Sequence, residues 1–113
     1  MSEEGRHIAR RIRRRTLGRA IREDPSGESA WSIRDLSTTG AFLETKTPLE
    51  IGTEFDLSLI FGTAIIHVMA RIVRIQEPSE HNVRGAGIEF TSLSEGAKTF
   101  LESYIEASEG EYL

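Results

Sequence analysis

Apolar side chains alternate with polar ones along most of this chain, which is the pattern of strands with one buried face. The clearest case is residues 53–61, where Phe55, Leu57, Leu59 and Phe61 occupy every second position. This pattern, together with the turn residues between its segments, predicts six short strands. They are expected at residues 17–23, 29–36, 40–45, 53–61, 64–75 and 84–90.

The spacing of apolar residues lengthens after the last predicted strand. There the apolar side chains fall on one stripe of a helix, made of Leu93, Ala97, Phe100, Leu101, Tyr104 and Ile105. Ser92 followed by Glu95 is a capping-box signature, which predicts where the helix begins. We expect the helix at residues 92–106 and an acidic tail at residues 107–113.

Short strands separated by turn residues are typical of an antiparallel barrel or sandwich, and one helix can cover an open end of such a sheet. A chain of 113 residues is long enough for one domain with its own core. The first residues are polar and rich in Arg. We therefore expect a flexible arm at residues 1–16 and a barrel at residues 17–91.

Charge is distributed unevenly along the sequence. Residues 1–22 hold eight Arg and two Glu, whereas the rest of the chain holds six basic and sixteen acidic residues. Twelve of the fourteen basic residues are Arg, whose planar guanidinium matches phosphate and guanine edges better than the point charge of Lys does. An Arg-rich segment on an acidic body favours an anion-binding device over a general nucleic-acid coat.

Composition and spacing argue against several other kinds of site. The chain has no Cys, which removes disulfides, thiolate metal sites and Cys nucleophiles. His7, His67 and His81 lack the spacing of metal ligands, and Ser37 lies in no nucleophile elbow, so we expect neither a metal nor an enzymatic activity. No apolar run approaches the roughly 20 residues that cross a membrane. Trp31, at a strand position, is expected in the core.

Two segments carry candidate binding chemistry. Residues 10–15 contain five Arg, which can close on a phosphorylated ligand or form a solvated basic tail. Residues 35–40 read Asp-Leu-Ser-Thr-Thr-Gly. Asp35 can accept from the N1–H and N2–H₂ edge of guanine, Ser37 can bond a phosphate or a base, and Gly40 allows a tight bend. The same residue types are also typical of a β-turn.

In this order and spacing, these features resemble the PilZ domain family. The resemblance rests on Arg10-Arg11-x-x-Arg14, on the Asp-Leu-Ser-Thr-Thr-Gly segment, and on Gly-Ile-Glu-Phe at residues 87–90 before a terminal helix. It covers roughly residues 6–105. It implies a mainly β fold, namely a six-stranded antiparallel β-barrel of the split-barrel type with a C-terminal α-helix and a flexible Arg-rich N-terminal arm.

The resemblance also implies a ligand, the bacterial second messenger cyclic di-GMP. In the family, an R-x-x-x-R arm and a D-x-S-x-x-G turn hold it together. Carried over by position, the binding residues are Arg10, Arg14, Asp35, Ser37 and Gly40. The sequence also contains R-x-x-x-R at Arg6/Arg10 and Arg11/Arg15, which leaves the register of the arm open, so Arg11, Arg13 and Arg15 are further candidate contacts.

The resemblance therefore predicts a cytoplasmic receptor that binds cyclic di-GMP and relays the signal to a protein partner. It implies no enzymatic activity, no cofactor, no DNA binding and no membrane insertion. Two alternatives stay open: an RNA-binding module that uses the Arg arm, and a PilZ-like protein-interaction domain that works without the ligand. The acidic body disfavours the first alternative, and the intact Arg, Asp, Ser and Gly positions disfavour the second.

Overall fold

The structure is a computed structural model that describes residues 11–23 and 29–110, except for the side chains of residues 14–16, 109 and 110. In this part of the chain, six antiparallel strands close into a barrel and one helix follows. The elements are β1 (Arg11–Arg22), β2 (Ala30–Ser37), β3 (Gly40–Glu44), β4 (Glu54–Phe61), β5 (Ala64–Gln76), β6 (Gly85–Leu93) and α1 (Glu95–Gly110). The predicted six-stranded barrel with a C-terminal helix is confirmed.

The strands follow one another around the barrel in the order β1-β2-β3-β6-β5-β4, and β4 pairs with β1 to close it. The hairpin between β4 and β5 turns at Gly62 and Thr63, as the sequence predicts. Gly62 has φ 66°, a backbone conformation that favours glycine. Closure pairs both long sides of every strand, so the described barrel offers little free edge to another chain.

The barrel interior is filled by the alternating apolar side chains of the strands. Leu57 and Leu59 of the clearest predicted strand are fully buried. Trp31 is 2% exposed and packs against Phe55 with ring centroids 5.5 Å apart, so its expected core position is confirmed. Each such side chain contributes roughly 1.5–3 kcal/mol through removal of apolar surface from water.

The first strand begins earlier than the sequence pattern predicts. β1 starts at Arg11, not at residue 17, and Arg11, Ile12 and Arg13 pair with the end of β2. We expected an arm here because a run of Arg buries little apolar surface. Ile12, however, is 3% exposed and belongs to the barrel core, so one buried side chain and the backbone ladder hold this segment on the sheet. Residues 1–10 lie outside the described part, and flexibility of that segment stays a prediction.

The helix is shifted relative to its predicted start. Ala97 N–H donates to Ser94 Oγ at 3.0 Å, so Ser94 is the capping residue. The prediction that Ser92 caps the helix is wrong, because Ser92 pairs with Met69 in the β5–β6 ladder. The helix also continues to Gly110, beyond the predicted end at residue 106. Within the described chain, no helix has the length and apolar character needed to cross a membrane.

The apolar stripe of α1 covers one end of the barrel, as predicted. Leu101 and Ile105 belong to the core cluster. Tyr104 packs its ring against Phe61 with centroids 4.8 Å apart, and its hydroxyl donates to the Leu17 carbonyl at 3.3 Å. The helix is thereby tied to β4 and to the middle of β1.

Removal of the Leu101 side chain should show how much the helix stabilises the barrel. Leu101 is fully buried, so we expect Leu101→Ala to lower the free energy of unfolding by about 2–5 kcal/mol through lost burial and a cavity. Urea denaturation followed by circular dichroism measures this change. Glu102→Ala, at the next and exposed position, is the control and should change stability by no more than about 0.5 kcal/mol. Equal stability of Leu101→Ala and the wild type would contradict this packing.

Candidate functional site

The Asp-Leu-Ser-Thr-Thr-Gly segment forms the junction between β2 and β3. Ser37 is fully buried at the end of β2. Its Oγ accepts from the backbone N–H of Thr39 at 3.1 Å and from that of Gly40 at 3.2 Å. The hydroxyl of Ser37 therefore builds the turn from within. The structure places this side chain where it shapes the site and not on the outer surface.

Gly40 allows the turn to lie close to β6. A Cβ at this position would be 2.2 Å from the Ile88 carbonyl oxygen, a distance that real Cβ atoms do not reach. Phe90 N–H donates to the Thr39 carbonyl at 2.9 Å, which fastens the turn to the same strand. Glycine is thus required here by close backbone packing.

Asp35 connects this turn to β1. Arg11 Nη1 donates to Asp35 Oδ1, and Arg13 Nε donates to Asp35 Oδ2 at 3.1 Å. Both Arg side chains come from the strand that pairs with β2, with Arg13 directly opposite Asp35. The two segments that the sequence singled out therefore meet at one carboxylate on the outside of the barrel.

Arg10 and Arg14, the arm residues that the family resemblance implies for ligand binding, are not fully covered by the structure. Arg10 lies outside the described residues, and only the backbone of Arg14 and Arg15 is described. Their roles therefore stay predictions. The backbone shows that Arg14 begins an irregular stretch of β1, since residues 14–17 face only Arg34 of β2 before the register resumes at Gly18. Such bulges re-aim side chains next to binding sites.

Gly18 explains how β1 continues after this bulge. A Cβ at Gly18 would lie 2.4 Å from the Ile60 carbonyl oxygen on β4. Only glycine lets β1 approach β4 this closely, and Arg19 then pairs with Ile60 to close the barrel. A glycine at position 18 is thus a requirement of barrel closure.

A cleft of about 390 Å³ opens beside Asp35 on the outer face of the barrel. This volume lies within the range of about 300–1,000 Å³ that is usual for small-molecule sites. The lining residues are Arg13, Arg34, Asp35, Phe42, Arg74, Gln76, His81, Asn82 and Val83. Three guanidinium groups against one carboxylate suit an anionic ligand. The sequence motifs do not mark Arg34, Phe42 or Arg74, and an outward strand position was the only available signal for them.

A second cleft of about 410 Å³ has the opposite character, since Glu23, Asp56 and His67 line it. There Ser58 Oγ donates its proton to Glu23 Oε2, and His67 Nδ1 lies 3.0 Å from the same hydroxyl. Within the described residues, no group of three or more His, Asp or Glu side chains is arranged to hold a metal ion.

Comparison with known proteins agrees with the family resemblance of the sequence. A family model described as "PilZ domain" matches residues 7–107. A search of curated proteins found no match.

Several solved structures share the fold. The PilZ domain of YcgR from Escherichia coli with c-di-GMP is 20% identical, with a TM-score of 0.73 over 95% of this chain and 94% of that one. The Bacillus subtilis inhibitor of motility MotI/DgrA is 18% identical, with a TM-score of 0.77 over 94% of this chain and 52% of that one. The structure of YcgR in complex with c-di-GMP is 20% identical, with a TM-score of 0.76 over 95% of this chain and 47% of that one. This chain therefore spans about half the length of MotI and YcgR.

The role of Ser37 in the turn can be tested through stability alone. Ser37→Ala removes the acceptor for two backbone N–H groups, one of them on the buried Gly40, so we expect a loss of about 1–3 kcal/mol in the free energy of unfolding. Urea denaturation gives the value, and Ser103→Ala on the exposed side of α1 is the control. An unchanged midpoint for Ser37→Ala would show that the hydroxyl does not hold the turn.

Proposed function

The chain belongs to the PilZ domain family, and we propose that it is a receptor for cyclic di-GMP with its binding site between β1 and the β2–β3 turn. The observation that carries this proposal is the pairing of Arg11 and Arg13 with Asp35, which joins the Arg-rich strand to the turn at one carboxylate. We assign the principal ligand contacts to Arg10, Arg14 and Asp35. Ser37 and Gly40 hold the turn in place.

The chemistry of the site matches the chemistry of this ligand. Cyclic di-GMP carries two guanines and two phosphates. Guanidinium groups bond guanine O6 and N7 or a phosphate in a bidentate manner. A carboxylate such as Asp35 accepts from guanine N1–H and N2–H₂. The adjacent cleft adds Arg34 and Arg74 to the positive surface.

Ligand binding would replace one of the two Arg partners of Asp35 by a guanine edge. Asp35 accepts from Arg11 and Arg13, whose side chains are 42% and 80% exposed, whereas the Asp35 side chain itself is only 11% exposed. A buried carboxylate that loses a guanidinium needs another donor in its place. A guanine edge supplies such donors through N1–H and N2–H₂, while the released guanidinium turns to a phosphate. The intrachain pairs keep the carboxylate oriented until the ligand arrives.

The names of the solved neighbours support a receptor. YcgR structures contain c-di-GMP, and MotI is named as an inhibitor of motility. We propose that this chain likewise acts as a receptor or adaptor, has no enzymatic activity or cofactor, and passes the signal to a protein partner. The proposal places it in the cytoplasm, without DNA binding or membrane insertion.

Substitution of Arg14 should show whether this side chain contacts cyclic di-GMP directly. We expect Arg14→Ala, and likewise Arg10→Ala, to weaken cyclic di-GMP binding about 10- to 150-fold, because a lost hydrogen bond to a charged group costs about 1.5–3 kcal/mol. Titration calorimetry at about 0.15 M salt measures it, with Arg19→Ala as the control on the same strand beyond the bulge. Wild-type affinity in Arg14→Ala would refute the Arg10/Arg14 register.

The same titration tests the receptor against an RNA-binding module. A receptor should bind cyclic di-GMP at about 0.15 M salt, where screening is already strong, and excess single-stranded RNA should displace it poorly. Absence of cyclic di-GMP binding by the wild type, or ready displacement by RNA, would instead favour a polyanion-binding arm.

Asp35 should control the choice of base. We expect Asp35→Ala to lower affinity for cyclic di-GMP but not for cyclic di-AMP, because only guanine offers the N1–H and N2–H₂ edge from which the Asp35 carboxylate accepts. Parallel titrations with the two dinucleotides give the ratio. Asp56→Ala, an exposed carboxylate on β4, controls for the change in net charge. An equal loss for both ligands would mean that Asp35 shapes the turn without reading the base.

A further inference from the structure

A row of five residues crosses the outer face of the barrel at the level of Asp35. Strand pairing sets Arg13 opposite Asp35, Asp35 opposite Phe42, Phe42 opposite Gly87, and Gly87 opposite Arg74. The row thus runs from β1 through β2, β3 and β6 to β5. Directly opposite residues share a face of the sheet, and the four side chains of the row all line the cleft.

Phe42 has an unusual position for a buried aromatic residue. It is 8% exposed, yet it does not belong to the barrel core cluster, which contains its neighbours Ala41 and Leu43. Alternation along β3 therefore directs Phe42 to the outside. What covers it is Arg74, whose guanidinium carbon lies 5.5 Å from the centroid of the ring.

Gly87 provides the space in which Arg74 lies on the sheet. A Cβ at Gly87 would be 3.2 Å from Arg74 Nη2 and 3.3 Å from Nε. These distances are tighter than ordinary van der Waals contact, so a larger residue at 87 would push the guanidinium outward. Gly87 thus leaves the room in which the side chain lies, and the Phe42 ring is the surface next to its guanidinium.

The charge of Arg74 is not neutralised within the described chain. No ion pair joins it to any described carboxylate, whereas Arg71 on the same strand pairs with Glu89 at 2.9 Å and with Glu54 at 3.5 Å. Arg74 therefore offers the cleft an exposed planar cation that pairs with no described carboxylate. A guanidinium of this kind stacks on an aromatic ring and attracts its π face.

Hydrogen bonds hold the loop that forms the wall of the cleft beyond Arg74. Gln76 Nε2 donates to the Val83 carbonyl at 2.7 Å, which ties the end of β5 to the loop before β6. Within that loop the backbones of Ser79 and Asn82 exchange hydrogen bonds of 2.9 and 3.4 Å. The space above Arg74 is thus bounded by a loop with its own internal support.

We propose that Arg74 is the stacking platform for a nucleobase of the ligand bound at Asp35, with Phe42 and Gly87 as the residues that position it. This inference rests on the proposed function and adds a contact on β5 that neither sequence motif contains. The Arg74 side chain reaches back over β6 toward Phe42, so its guanidinium lies one to two strand spacings, about 5–10 Å, from Asp35. One dinucleotide spans that distance.

Three substitutions at position 74 distinguish stacking from charge. We expect Arg74→Ala and Arg74→Lys to weaken cyclic di-GMP binding about 5- to 30-fold in calorimetry at about 0.15 M salt, because both lose the flat surface on which a base stacks. Arg74→Trp should stay within about threefold of the wild type, because an indole supplies that surface without charge. The fluorescence of the introduced indole should be quenched when the ligand binds.

Matched controls complete the test. Arg71→Ala removes the same charge from the same strand but lies outside the cleft, and we expect its affinity within about twofold of the wild type. Gly87→Val should weaken binding, because its methyl groups extend beyond a Cβ that already lies 3.2 Å from Arg74 Nη2 and would take the space of the guanidinium. Circular dichroism melting of each variant checks the fold, and Arg74→Tyr replaces Arg74→Trp if the larger ring prevents folding.

The outcomes separate this inference from the proposed function. A wild type that does not bind cyclic di-GMP would refute the proposed function itself. A wild type that binds, together with an Arg74→Ala variant of equal affinity, would refute only the stacking platform. Retained affinity in Arg74→Lys with a loss in Arg74→Trp would also overturn it, because Arg74 would then contact a phosphate through its charge.

Discussion

The register between β1 and β2 is the constraint on which the outer site depends. It places Ile12 inside the barrel opposite Leu36 and, by strand alternation, directs Arg11 and Arg13 outward to Asp35. A slip of one residue would exchange the two faces, bury guanidinium groups and expose the isoleucine. Because Ile12 and Leu36 both belong to the core cluster, burial of apolar surface fixes the position of the charged residues on the other side of the sheet.

The proposed binding site lies where the regular barrel is interrupted. Residues 14–17 bulge out of β1, the hydroxyl of Ser37 holds the β2–β3 turn, and glycines at 18 and 40 let neighbouring backbones approach. These features need a rigid frame, since a turn or bulge on a loose sheet would not hold a fixed geometry. The closed ladder and the packed interior supply that frame.

The two clefts divide the charges of the molecule. The cleft beside Asp35 collects guanidinium groups from three strands, among them Arg34 and Arg74, whereas the second cleft presents Glu23 and Asp56. An anion is therefore attracted to one face and repelled from the other. Of the three Arg residues in the first cleft only Arg13 comes from the Arg-rich first segment, so the fold adds two cations of the acidic body to it.

The sequence by itself determined the six strands, the apolar stripe of the helix and the family, because side-chain periodicity and short motifs are local properties of the chain. It did not determine the start of β1 or the cap at Ser94, since burial of Ile12 and the pairing of Ser92 with Met69 depend on neighbouring strands. Nor did it show that Arg74 and Asp35 line the same cleft. They do so only through the successive registers of four strands, and no local pattern encodes registers across a closed barrel.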